Sequence, residues 1–141
     1  MDTNKILDFI QKLIEKTGDK TLNWTVLSNN DFLRPLPDAE YPLAFGVEPT
    51  DELLANYSYV TNFKTAKIFL LSFSLFEEKL RNPPDDCTLS LRIQTDTNKF
   101  AMEITSSQFD PVDASALIRL YNVIDNNSPS ISVIIDDFLN S

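Results

Sequence analysis

Carboxylates are the only abundant side chains in this sequence that could act as acid, base or nucleophile. The 141 residues carry 21 Asp and Glu against 12 Lys and Arg, with no histidine and one cysteine. Acidic neighbours occur at Glu77-Glu78, Asp85-Asp86 and Asp136-Asp137. Two-carboxylate hydrolysis needs groups that converge on one substrate, whereas adjacent residues of a strand or helix point in different directions. Each doublet therefore reads as solvated surface, and no residue is assigned as catalytic. A calcium loop needs alternating oxygen ligands, a central glycine and a late glutamate. Asp96-Thr97-Asn98 and Asp125-Asn126-Asn127 open such a pattern without completing it, so they read as a turn and a helix end. Cys87 opens an apolar stretch and has no histidine to lower its pKa, which makes it a small core residue.

The absences are as informative. Without histidine there is no Ser-His-Asp triad, Cys-His pair or His-ligated zinc. A single cysteine closes no intrachain disulfide. Two glycines, Gly18 and Gly46, cannot write a Walker A loop or a GxGxxG turn. No cofactor or metal is expected. The longest apolar run, around Lys67 to Phe76, is about half of the ~20 residues a spanning helix needs. With no apolar secretory run near the start, a reducing cytoplasm is the expected location, and the Asn-x-Ser/Thr matches at Asn23, Asn56 and Asn126 are chance. A net charge of -9 repels nucleic acid and anionic lipid, so neither direct nucleic-acid binding nor membrane binding is expected.

Two further groups invite a chemical reading. Arg92 is expected on the wet face of a strand, forming a cross-strand ion pair with Lys99 and Glu103 for neighbours across a hairpin. Tyr57, Tyr59 and Phe63 could stack bases, but with no cations to hold phosphates they read as core or interface.

The elements that would position these groups follow from periodicity. Ile6, Phe9, Ile10, Leu13 and Ile14 mark an amphipathic helix from Asp2 to Gly18, capped by Asp2 or Thr3, with Gly18 as the left-handed residue after it and Lys12 to Lys16 as a solvated face. Trp24 is a core or edge anchor in a stretch too short to separate a helical turn from a strand. Residues 28–56, with Pro35, Pro37, Pro42 and Pro49, read as a long irregular connection with a helical turn at Pro49 to Leu54. Long connections carry binding surfaces more often than short ones, so Phe32, Leu36, Tyr41 and Phe45 form the candidate interaction surface.

From Tyr57 the period becomes two. Strands are expected at Tyr57 to Thr65, at Ile68 to Phe76 (central, covered on both faces), at Cys87 to Gln94 (one face buried, the other wet) and at Lys99 to Thr105, with Phe100, Met102 and Ile104 on one face. Asp110-Pro111-Val112-Asp113 starts a helix with the stripe Leu117, Leu120, Tyr121, Ile124, and Arg119 outside it. Ser128-Pro129 starts another, with Ile131, Ile134, Ile135, Phe138 and Leu139 at helical spacing and a strand as the competing reading. The architecture is α+β: a single domain over residues 1–141 with an N-terminal helix, an antiparallel sheet of about four strands and two C-terminal helices packed on one face.

Asn23-Trp24-x-x-Leu27, the strand pair around Phe63 to Phe76 and Arg119-Leu120-Tyr121-Asn122-x-Ile124 with its Asp-Asp-Phe-Leu tail resemble a group of small uncharacterised proteins of Gram-positive bacteria, often carried with mobile elements. The likeness spans roughly two thirds of the chain. It implies a cytosolic bacterial protein and brings no activity with it. The sequence favours a non-enzymatic protein-interaction or regulatory module, with a protein partner or a second copy of the chain. An acidic inhibitor of a basic partner, of immunity or anti-defence type, is the alternative, and a carboxylate-based hydrolase is the rival from another class.

Overall fold

The computed structural model describes residues 2–27, 52–54, 57–74, 87–95, 101–127 and 131–141. In chain order these hold α1 (Thr3–Gly18), β1 (Thr25–Val26), β2 (Glu52–Leu53), β3 (Tyr59–Phe63), β4 (Ala66–Ser74), β5 (Cys87–Gln94), β6 (Met102–Ser106), α2 (Pro111–Asn127) and α3 (Ile131–Leu139). The α+β architecture is as expected. Phe32, Leu36, Tyr41 and Phe45 lie outside the described residues, as do Glu77-Glu78, Asp85-Asp86 and Asp96 to Lys99.

In α1, the Asp2 carboxylate accepts the Asn4 N–H at 2.9 Å, filling one of the donors a helix start leaves open. Ile6, Ile10, Leu13 and Thr17 are its buried side chains. The helix stops differently from expectation: Gly18 is still helical, Asp19 caps the end, and the left-handed residue is Lys20 (φ 65°). Asp19 accepts the Thr21 N–H at 2.9 Å, and hydrogen bonding to Thr21 holds its carboxyl below the usual range.

The sheet is antiparallel throughout, in the order β1-β3-β4-β5-β6, with β2 on β4 off that path. The meander β3 to β6 is the one periodicity indicated; β1 and β2 are two-residue additions to it. Residues 52–53, expected in a helical turn, are instead the strand β2, which pairs Glu52 with Ser74 and Leu53 with Phe73. Both β2 and β3 run along β4, and two serines bridge the gap between them. Ser58 Oγ donates to the Leu54 carbonyl at 2.8 Å and accepts the Ser72 N–H at 3.0 Å, while Ser72 Oγ donates to the Tyr57 carbonyl at 2.7 Å. Backbone groups that a broken ladder would strand are thereby satisfied.

Ile68 and Leu70 of β4 and Leu89 and Leu91 of β5 face α1 and α2, where Ile6, Ile10, Leu13, Leu117, Leu120, Tyr121 and Ile124 complete the larger core. Fully burying each such side chain contributes about 1.5–3 kcal/mol. The opposite face of β4, with Phe69, Leu71 and Phe73, is buried too, so β4 is central and covered on both sides as expected. The same burial overturns the reading of β5. Thr88, Ser90, Arg92 and Gln94 register against Phe73, Leu71, Phe69 and Lys67 and are buried, not wet.

The β5–β6 ladder slips at Leu91/Arg92: Leu91 pairs with Thr105 but Arg92 pairs with Glu103. Ile104 is the extra residue of a β-bulge, and it reverses the alternation. Met102 is exposed, while Ala101 and Thr105, assigned by simple alternation to the face opposite Met102 and Ile104, are buried.

Asp110 starts α2 by accepting the Val112 N–H at 2.7 Å, and Leu117, Leu120, Tyr121 and Ile124 are buried with Arg119 outside, as expected. Residues 131–139 are helical, which settles helix against strand there. The helices on the sheet are therefore α1 and α2; the apolar side chains of α3 at 134, 135, 138 and 139 are exposed instead of joining them. Among the described residues no helix is long and apolar enough to cross a membrane.

Candidate functional site

The most distinctive surface arises where α1 meets the β3–β4 hairpin. Positions 9, 12, 13 and 16 follow helical spacing, so Phe9, Lys12, Leu13 and Lys16 share one flank of α1. Opposite them stand Phe63 and Ile68, carried by β3 and β4 on either side of a two-residue turn. Lys64 holds that turn with φ 54°, in the left-handed region such tight turns require. With Leu22, these residues line a groove of about 230 Å³. Its floor is apolar and its rim cationic: Lys12 and Lys16 stand on the helix wall, and the Lys64 ammonium lies 5.5 Å from the Phe63 ring centroid on the hairpin wall. Phe63 is half-exposed. In a chain of net charge -9 this is a local reversal of sign.

The second unusual surface is α3. Ile134, Ile135, Phe138 and Leu139 are between 51% and 79% exposed on a nine-residue helix that also carries Asp136 and Asp137. Single exposed apolar residues are ordinary; four on one helix are not.

Three other polar groupings are better read as structural. Arg92 Nε donates to Ser90 Oγ at 2.9 Å, its Nη2 donates to Glu103 Oε2 at 3.1 Å, and Ser90 Oγ donates to the same oxygen at 2.6 Å. The expected cross-strand ion pair is present, with side-chain exposures of 8% for Arg92 and 29% for Glu103. The Arg92 guanidinium carbon also lies 5.8 Å from the Phe73 ring centroid. The Tyr59 hydroxyl donates to Asp125 at 3.3 Å, and the Tyr59 and Tyr121 rings meet edge-on at 5.6 Å. Burial, then the Asp125 charge, raises the Tyr59 phenol above its ordinary value; burial and the neighbouring Tyr59 raise Tyr121. A cleft of about 280 Å³ lies beside Trp24, lined by Thr17, Lys20, Leu22, Asn23, Ile124 and Asn127. Three of its polar side chains are already engaged with one another or with backbone. Trp24 Nε1 donates to Thr17 Oγ1 at 2.9 Å, Thr17 Oγ1 donates to the Leu13 carbonyl at 2.6 Å, and Asn127 donates to the Thr17 carbonyl.

Cys87 is buried in β5, as expected of a core residue. Tyr57 is exposed, Tyr59 is in the core and Phe63 is at the groove, so the three aromatics do not form one platform. Asp136 and Asp137 are exposed. Among the described residues no three of His, Cys, Asp or Glu gather as a metal site would require. The groove went unseen in the sequence because its walls come from segments far apart in the chain, although Phe9 between Lys5 and Lys12 was a readable sign. Lys12 and Lys16, expected only as a solvated face, belong to its rim. No family model matches the chain, and neither a curated protein nor a solved structure gives a significant match.

Proposed function

We propose that the protein is a non-enzymatic protein-interaction module, working as an accessory or regulatory factor through α3 and the groove between α1 and the β3–β4 hairpin. The exposed apolar stripe of α3 carries this reading. Four large apolar side chains held in water give up about 1.5–3 kcal/mol each when fully buried, a gain that a partner surface supplies and that must exceed the cost of association. The groove offers the complementary feature, an apolar floor with charged rims, which is how interfaces combine affinity with orientation. The acidic-inhibitor version has the net charge of -9 in its favour and predicts a complex that weakens with salt.

Site-specific photo-crosslinking tests the reading. A benzoylphenylalanine placed at Phe138 in living cells is expected to give discrete protein adducts that disappear when the probe is moved to Asn122, on the exposed side of α2. Equal labelling from both positions, or none from Phe138, counts against an interaction module.

A further inference from the structure

We infer that the partner of α3 is a second copy of this chain, whose lysine-rimmed groove receives the helix. This rests on the interaction reading above and names its occupant. At about 100° per residue, Ile134, Phe138, Ile135 and Leu139 cover an arc of about 140°, and Asp136 and Asp137 fall about 60° beyond its two edges. The helix is thus an apolar stripe with a carboxylate on either flank. The groove is its counterpart: Phe9, Leu13, Leu22, Phe63 and Ile68 make an apolar trough, with Lys12 and Lys16 on one wall and the Lys64 ammonium set over the Phe63 ring of the other. Stripe meets trough, and each acidic flank meets a lysine wall.

Both halves of this match reside in one chain, yet α3 is not seated in its own groove, because its stripe stands exposed. Exchange between two copies satisfies both. If each copy gives α3 to the other about a two-fold axis, both grooves fill and the assembly closes as a dimer without leaving a free end. Helix-in-groove recognition of this kind reads anchors three and four residues apart on one face, the spacing that residues 134, 135, 138 and 139 present.

The test is the mass of the full chain by sedimentation velocity and light scattering over a concentration series, at low and high salt. The expected result is a species of twice the 16.0 kDa chain that dissociates more readily in high salt. Phe138→Asp, and separately Lys12→Glu with Lys16→Glu, should each move the dissociation midpoint roughly tenfold or more to higher concentration. Combining Lys12→Glu, Lys16→Glu and Lys64→Glu with Asp136→Lys and Asp137→Lys, which reverses both walls and both flanks, should return it near the starting value. These side chains are exposed or on the groove rim, and circular dichroism melts confirm that each variant folds. A chain monomeric at every concentration, a dimer indifferent to all these changes, or a helix that seats in its own groove without concentration dependence overturns the inference. If the chain is monomeric while crosslinks from position 138 to another protein persist, the second copy is excluded and the interaction reading stands. If neither is seen, both fall.

Discussion

Thr105 donates its hydroxyl to Oδ2 of Asp113 at 2.7 Å, and the contact exists because the bulge at Ile104 turns Thr105 towards the helices. Asp113 is buried in the first turn of α2, and its other oxygen has no hydrogen-bond partner among the described residues. The helix N-terminus offers that carboxylate a favourable field, and among the described residues Thr105 supplies its direct donor. Thr105→Val keeps the shape and removes the donor, so it should cost about 1–3 kcal/mol in urea denaturation. Thr105→Ser, which keeps the hydroxyl, should cost less.

Glu103→Ala removes the carboxylate that faces Arg92 and leaves a buried cation with one counter-charge fewer. Because Glu103 is partly exposed, the expected loss is about 2 kcal/mol, below that of a fully buried pair. Replacing both partners, Arg92→Met with Glu103→Leu, should cost less than Glu103→Ala alone. Chemical denaturation of the two variants decides it, and a larger loss in the double variant would argue that the pair itself is strongly stabilising.

Stability should fall at alkaline pH through Tyr59 and Tyr121. Both phenols titrate higher folded than unfolded, so the native state holds their protons longer. Their contribution is complete below the unfolded value of 10.0 and declines as pH rises from there towards the folded values. Tyr59→Phe should lower stability near neutrality by about 1 kcal/mol, the worth of its bond to Asp125, and flatten the alkaline decline. Thermal melts across that pH range, with tyrosinate absorbance, measure both effects.

The end of α1 leaves two stabilising substitutions open. Gly18 is helical and an added Cβ would meet nothing within 4 Å, so Gly18→Ala should gain about 0.5–1 kcal/mol. Lys20 holds φ 65°, and Lys20→Gly should gain about 1 kcal/mol by relieving the left-handed strain. Tm should rise with each and further with both. A fall with Lys20→Gly would mean that its side chain, at the edge of the Trp24 cleft, contributes more than its backbone costs.

The elements were legible wherever burial follows one simple period. Ile6 to Ile14, Phe69 to Phe73 and Leu117 to Ile124 announce a helix, a two-faced strand and a helix, and each forms where its spacing indicates. The alternation of Thr88, Ser90, Arg92 and Gln94 misleads, because polarity is a poor guide once serine and glutamate satisfy an arginine inside the protein. The bulge at Ile104 carries no glycine to betray it, so the parity of β6 was unreadable. The swap at the end of α1 likewise defeats the usual rule that glycine marks the left-handed position. The groove depends on contacts between α1 and a hairpin well separated from it, a relationship that spacing within one segment does not encode.

The turn at Lys64 and Thr65 gives the meander its order of assembly. Closing two residues between β3 and β4 costs far less chain entropy than bringing α1 onto α2, whose partners are distant in sequence. The hairpin is therefore the expected nucleus, with the α1 face of the core expected to condense onto it later. Destabilising Val60 or Phe69 should slow refolding, whereas truncating Ile10 should mainly speed unfolding. In that order of assembly the groove forms after the hairpin, so whatever it receives is expected to meet the finished fold and not an intermediate.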